Sequence, residues 1–304
     1  MRCKMAELKL GMIGLDTSHC AAFSHILNNK EHPHHVPGAK IVYACPTGSE
    51  QFSLSRDRIE GFTNQLRDDF GVEILDSIEA VAERADAVLQ ISVDGRVHLE
   101  EFKRLTPYGK PVFIDKPLAT SAADARAIFE LSQRHGAPIM SCSSVRYAKG
   151  LAEVGEGAEI LACEASGPAP ILDDFPGLFW YGIHAAEVLY SKMGTGCKQV
   201  CTHKTPLADV VTGIWEDGRI GTLHAYRYPK MRDYAITVYT SQGIKQGLRL
   251  KEPPAYALML AEILEFFRTG IPPIDSALTT ELMAFLEAAN MSRESGGAVS
   301  LESF

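Results

Sequence analysis

A chain of 304 residues, 46% hydrophobic and 22% charged, has the length for about two domains and enough apolar material for a real core. Its 30 basic residues against 38 acidic ones give a formal charge of −8, and no basic stripe runs along it, which argues against a nucleic-acid-binding surface. No apolar stretch reaches the roughly 20 residues needed to span a bilayer, so no membrane partner is expected.

Residues 8–15 (L-K-L-G-M-I-G-L) read as a buried strand ending in a glycine turn. Asp16, Thr17, Ser18 and His19 follow as helix-capping candidates, and Phe23, Ile26 and Leu27 mark a helix face. Strand, glycine turn and helix open a dinucleotide-binding fold, whose fingerprint is G-x-G-x-x-G. Gly14 occupies the first glycine position, Asp16 the second and His19 the third. A carboxylate at the second position would repel a pyrophosphate, unless Asp16 turns away to cap the helix. Thr17, Ser18 and His19 would then supply donors to a phosphate. A purely structural turn is the competing reading.

The loop at 31–35 (E-H-P-H-H) suits a solvated segment as well as a metal site, and no metal is expected. A strand over 39–45 runs into Pro46-Thr47-Gly48-Ser49, with no Asp or Glu at its end to hold a ribose hydroxyl. The choice between NAD and NADP therefore stays open. Residues 71–75 and 85–93 read as further strands, the second carrying Ser92, Val93, Asp94 and then His98 at its carboxyl end. A helix through 99–105 leads to the apolar strand Val112, Phe113, Ile114, which stops at Asp115-Lys116-Pro117. Ligands of open α/β sheets bind outside the carboxyl ends of the strands, so a lysine fixed there can bind or deprotonate a polar substrate. A solvated Lys116 paired with Asp115 is the alternative. A helix with Ser121 and Asp124 at its start and a strand over 139–144 complete the alternation, a doubly wound parallel sheet.

The pattern changes after Tyr147. Strands are expected over 159–164, 210–215, 220–227 and 234–240, with a hairpin turn at Asp217-Gly218, so the second half reads as α+β with a mainly antiparallel sheet. Helices follow over 256–269 and 276–295. Between them and the first half, Trp180, Tyr181 and His184 cluster at a helix start, with Glu187 one turn on. The domains are placed at residues 1–145 and 146–304. The seven cysteines are scattered and read as reduced thiols; only Cys197 and Cys201 lie close, and nothing completes a zinc pattern. The N-terminus (M-R-C-K-M-A-E-L-K) carries charge with no hydrophobic stretch behind it, so no signal peptide and a cytoplasmic location are expected.

A glycine turn, then a strand-end D-K-P, then G-x-H before a helix, in that order, resemble the Gfo/Idh/MocA family, along with R-T-G-I-P-P and M-A-F-L-E-A-A-N near the end. These are nicotinamide-dependent relatives of glucose–fructose oxidoreductase and inositol dehydrogenase. The resemblance implies a Rossmann-like domain binding NAD or NADP through the 14–19 turn, residues 92–94, His98 and the Asp115-Lys116-Pro117 motif. It implies Lys116 between nicotinamide and substrate, and His184 as acid/base residue. The family's second-domain pattern D-x-G-x-H-x-x-D falls on Trp180, Gly182, His184 and Glu187, so Glu187 keeps a carboxylate and Trp180 replaces an Asp that orients substrate. Trp180, Tyr181 and Glu187 are thereby the candidate substrate residues. The implied reaction is hydride transfer between nicotinamide and a sugar or polyol CH–OH. Alternatives are an NAD-dependent enzyme that cleaves glycosides through transient oxidation, a non-catalytic nucleotide- or sugar-binding relative, and a metal-dependent use of Asp16, His19 and His184. A homo-oligomer through the second-domain sheet is expected.

Overall fold

The computed structural model describes residues 6–304; Cys3 and the first five residues of the N-terminal stretch lie outside them. The chain divides into two compact units. One takes the residues up to Ala119 together with Arg126–Ser141 and Tyr256–Ile274; the other takes Thr120–Ala125, Cys142–Ala255 and Asp275–Phe304. A single cut between residues 145 and 146 assumes one crossing, whereas Tyr256–Ile274 groups with the first unit.

The first unit is built on a six-stranded parallel sheet. In chain order its elements are β1 (Leu8–Ile13), α1 (His19–Asn28), β2 (Ala39–Cys45), α2 (Ser53–Arg56), α3 (Ile59–Phe70), β3 (Glu73–Ile74), α4 (Ile78–Arg84), β4 (Ala87–Gln90), α5 (His98–Leu105), β5 (Val112–Ile114), α6 (Ala122–His135) and β6 (Ile139–Met140). The strand order is β3-β2-β1-β4-β5-β6, with every pairing parallel. This is the doubly wound sheet that the alternation predicts, and its central strands are buried throughout and mostly apolar because both faces are covered. Gly14 ends β1 at φ 84°, and a Cβ there would fall 2.1 Å from the Ser92 amide, so only glycine lets the two strand ends meet. Helices α2 and α3 were not expected. The strand foreseen over 139–144 stops at Met140, because Ser143 caps a short turn at Ser144–Tyr147.

The second unit holds a seven-stranded sheet. Its elements are β7 (Ile160–Pro168), α7 (Gly182–Met193), β8 (Cys197–Lys204), β9 (Ala208–Trp215), β10 (Ile220–Tyr226), β11 (Ala235–Thr240), β12 (Gly243–Leu248), α9 (Ser276–Ser295) and β13 (Val299–Ser300), α8 (Ala255–Thr269) falling almost wholly in the first unit. The order is β12-β11-β7-β10-β9-β8-β13. Only β7 and β10 run parallel; the other pairings are antiparallel, as the hairpin signals predict. One face is covered by α7 and α9, which bury Leu189, Tyr190 and Phe285 against Trp215 and Leu223. The opposite face presents Thr212, Thr222, His224 and Thr237, all half-buried. Among the described residues no helix is long and apolar enough to cross a membrane.

Candidate functional site

At the carboxyl ends of the first unit's strands, the side chains singled out from the sequence are largely committed to one another. Asp16 is fully buried and does not cap α1, whose capping position falls to Ser18 without a side-chain bond. The expected turn toward the helix is replaced by two contacts: Ser55 Oγ donates to Asp16 Oδ2 at 2.6 Å, and the Val93 amide donates to Oδ1 at 2.9 Å. Burial raises its carboxyl to about 6, against the pull of these two donors. Ser92 donates its hydroxyl to buried Glu101, Asp94 pairs with Arg96, and both ring nitrogens of His98 face backbone oxygens, of Ser92 and Leu118. These three side chains brace the loops and are not turned outward as donors to a cofactor. Thr17 is buried, and Ser18 is exposed.

His19, at the third fingerprint position, links distant parts of the unit. Its Nδ1 lies 2.6 Å from Asp115 Oδ2, its Nε2 2.9 Å from the Tyr256 hydroxyl, and its ring stacks on Phe23. Asp115 is thus not a surface partner for a solvated lysine. Burial alone would raise its carboxyl, yet the charge and hydrogen bond of His19, with Lys116 beside it, hold it below the usual range. Lys116 is itself buried, next to Pro117, whose carbonyl lies where a Cβ on Gly95 would be only 2.9 Å away. The solvated reading of Lys116 does not hold.

In the second unit, His184 lies in the first turn of α7 with Nδ1 2.6 Å from Ser143 Oγ. Glu187, one turn on, is buried with Arg146 Nη1 at 3.5 Å. Its carboxyl is pushed up to about 7 by burial, which the Arg146 charge only partly offsets. Glu187 therefore sits in the interior and not on a substrate-facing wall. Trp180 is buried against Phe175, while Tyr181 is 36% exposed and edge-on to His184. Residues 143–146 are thereby tied to α7 at two points. Ser55, Glu101, Arg96, Tyr256, Ser143 and Arg146 carry these arrangements and were not singled out from the sequence. Arg96 and Glu101 meet partners within the same loop and helix start, whereas Ser55, Ser143, Arg146 and Tyr256 meet partners at least 39 positions away, which no local pattern marks. Among the described residues no group of three or more His, Cys, Asp or Glu could hold a metal ion.

A doubly wound parallel sheet opening with strand, glycine turn and helix, in a chain that also carries a mixed open sheet, is a Rossmann-like architecture joined to a second α+β unit. Residues 8–142 match the family model for Gfo/Idh/MocA, the oxidoreductase family with an NAD-binding Rossmann fold. It is 29% identical over 142 residues to inositol 2-dehydrogenase of Cereibacter sphaeroides, a match spanning 46% of this chain and 37% of that relative. A solved myo-inositol dehydrogenase of Lactobacillus casei, in complex with NAD(H) and myo-inositol, superposes with a TM-score of 0.75 at 16% identity, covering 97% of this chain and 96% of that one. A probable dehydrogenase of Thermotoga maritima does so at 0.76 and 18%, covering 97% and 99%. Both structures share the fold.

Two features, at the 14–19 turn and at the end of β2, bear on a dinucleotide. The Asp16 carboxyl accepts from Ser55 and from the Val93 amide, two donors that partly offset the negative charge a phosphate would meet. At the end of β2, where this fold receives a ribose, Thr47 Oγ1 is buried with no hydrogen-bond partner.

Proposed function

We propose that the protein is an NAD(P)-dependent oxidoreductase acting on a CH–OH group of a sugar, polyol or related small molecule. The observation that carries this reading is the burial of Lys116 at the end of β5 beside an Asp115 kept ionised by His19. Thr17 and Ser18 would hold the phosphates and Thr47 the ribose. When bound, a nicotinamide dinucleotide supplies the hydride acceptor or donor. Lys116 binds the substrate oxygen and stabilises negative charge on it. His184 takes the hydroxyl proton, and the Ser143 contact at Nδ1 orients its ring. Ser143 and Arg146 keep the first turns of α7 in place.

Calorimetric titration with NAD⁺, NADH, NADP⁺ and NADPH should give micromolar or tighter binding of one pair. Lys116→Ala and His184→Ala should each lower turnover about 10²-fold or more without unfolding the protein. Unchanged rates in both variants would remove the mechanism.

The second reading is a non-catalytic nucleotide- or sugar-binding relative. It is favoured by the commitment of Asp16, Ser92, Asp94 and His98 to partners within the protein. Binding without turnover on any sugar or polyol would select it. For assembly, the half-buried face of the second sheet supports a homo-oligomer. Sedimentation at micromolar concentration should show one, and a monomer would contradict it. The reading places the protein in the cytoplasm.

A further inference from the structure

The second unit contains a cavity of about 390 Å³, inside the roughly 300–1,000 Å³ range typical of small-molecule pockets. Its walls are mainly ring faces and prolines. Trp180 and Tyr181 line one part, while Tyr228, stacked on Tyr226 at 5.2 Å and 10°, lines another. Such faces accept the C–H side of a sugar ring or another flat ring.

The charge in the lining is of one sign. Arg227 and Arg232 belong to it and no carboxylate does. Arg227 donates to both oxygens of buried Asp209, at 3.0 and 3.1 Å, but Asp209 also accepts from Arg293. Arg293 also pairs with Glu294 at 2.8 Å, so Arg227 is matched by Asp209 and the unmatched charge of the lining is that of Arg232. Arg232 makes no ion pair among the described residues; its hydrogen bond goes to the backbone oxygen of Met231. A guanidinium over an aromatic cavity suits bidentate binding of a carboxylate or phosphate. A neutral polyol offers nothing that would use it.

We propose that this cavity selects a small ring-shaped substrate carrying an anionic group, a carboxylate or a phosphate, with Arg232 as the anion contact and Tyr181 as the stacking wall. Tyr181 connects the cavity to chemistry, since its ring lies edge-on to His184 with centroids 5.3 Å apart. A molecule stacked on Tyr181 is thus one ring away from the histidine assigned to proton transfer. The proposal rests on the reading that the second unit holds the substrate, and it replaces "sugar or polyol" with an acidic or phosphorylated one.

The test is calorimetry without any dinucleotide, using D-glucuronate, glucose 6-phosphate, glucose and myo-inositol against the wild type, Arg232→Gln and Tyr181→Ala. One anionic probe should bind at least about tenfold more tightly than the neutral ones. Arg232→Gln should abolish that preference with an unchanged melting temperature, the side chain being exposed. Raised salt should weaken the anion's binding, and Tyr181→Ala should weaken every probe. The glucuronate and phosphate arms show which anion the cavity takes. Equal binding of neutral probes, an Arg232→Gln variant like the wild type, or no binding by any probe would overturn the proposal. Parallel NAD⁺ titration and turnover assays keep the two readings apart. Turnover of a neutral sugar with no anion preference would remove only this proposal, and anion binding without dinucleotide binding would remove only the redox reading.

Discussion

Asp16 and Glu187 are buried carboxyls held above their ordinary range, at about 6 and about 7, and both oppose folding once ionised. Each contributes its full stability below the unfolded carboxyl range near 4, and the contribution is lost as pH rises through the folded value. Asp16→Asn should therefore raise the unfolding free energy at pH 8 by up to about 2 kcal/mol, seen as a higher melting temperature, and the gain should vanish below about pH 4. The amide oxygen can still accept from Val93, while the buried Ser55 hydroxyl loses its acceptor, which offsets part of the gain. Thermal melts of both proteins from pH 4 to 8 check this; parallel curves would contradict it. Asp115 has the opposite sign, since its folded value is depressed and its stability is lost as pH falls through that value. Removing its partner by His19→Ala should cost about 3–5 kcal/mol in urea unfolding, because a buried carboxylate would be left uncompensated. Asp115→Asn added to that variant should recover part of the loss. At this scale the residue types were legible: Lys116, His184, His19 and Asp16 all stood out by their places in strand ends and turns. Their partners were not.

Elements were legible in proportion to how regular their burial is. Strands β1, β4 and β5 are covered on both faces and read as apolar runs, and α9 shows its apolar spacing and ends in the expected glycine. Strand β12 is polar and exposed along most of its length, and β8 alternates poorly, so both depend on their neighbours in the sheet for existence. Helix α3 has only Leu66 fully buried, which left its period faint. The β1–α1 junction also carries an element-scale prediction. Gly14→Ala combines a positive φ with a Cβ 2.1 Å from the Ser92 amide, so it should destabilise by several kcal/mol, on the order of 3 or more, in chemical unfolding. A loss under about 1 kcal/mol would mean that the two strand ends can part without cost.

For the molecule as a whole, the return of Tyr256–Ile274 to the first unit is the feature with the widest consequence. Tyr256 places its hydroxyl on His19 and its ring edge-on to Phe23, while Met259, Leu260 and Ile263 are buried. A fragment ending at residue 145 lacks all of these, and it should show no cooperative thermal transition at the temperature of the full chain. A fragment that melted like the full protein would show that this segment is dispensable. The sequence by itself determined the alternation of strands and helices, the change to a hairpin pattern after Tyr147, and the strand-end position of Lys116. Periodicity, proline and glycine act over a few residues and need no partner. The tertiary structure alone decided that Asp16 bonds Ser55 and Val93 instead of capping α1, and that His19 meets a tyrosine 237 positions away. It also decided that an arginine-bearing aromatic cavity forms beside His184. Those pairings exist because strands and helices far apart in the chain pack against one another, and which polar groups are buried together follows from that packing.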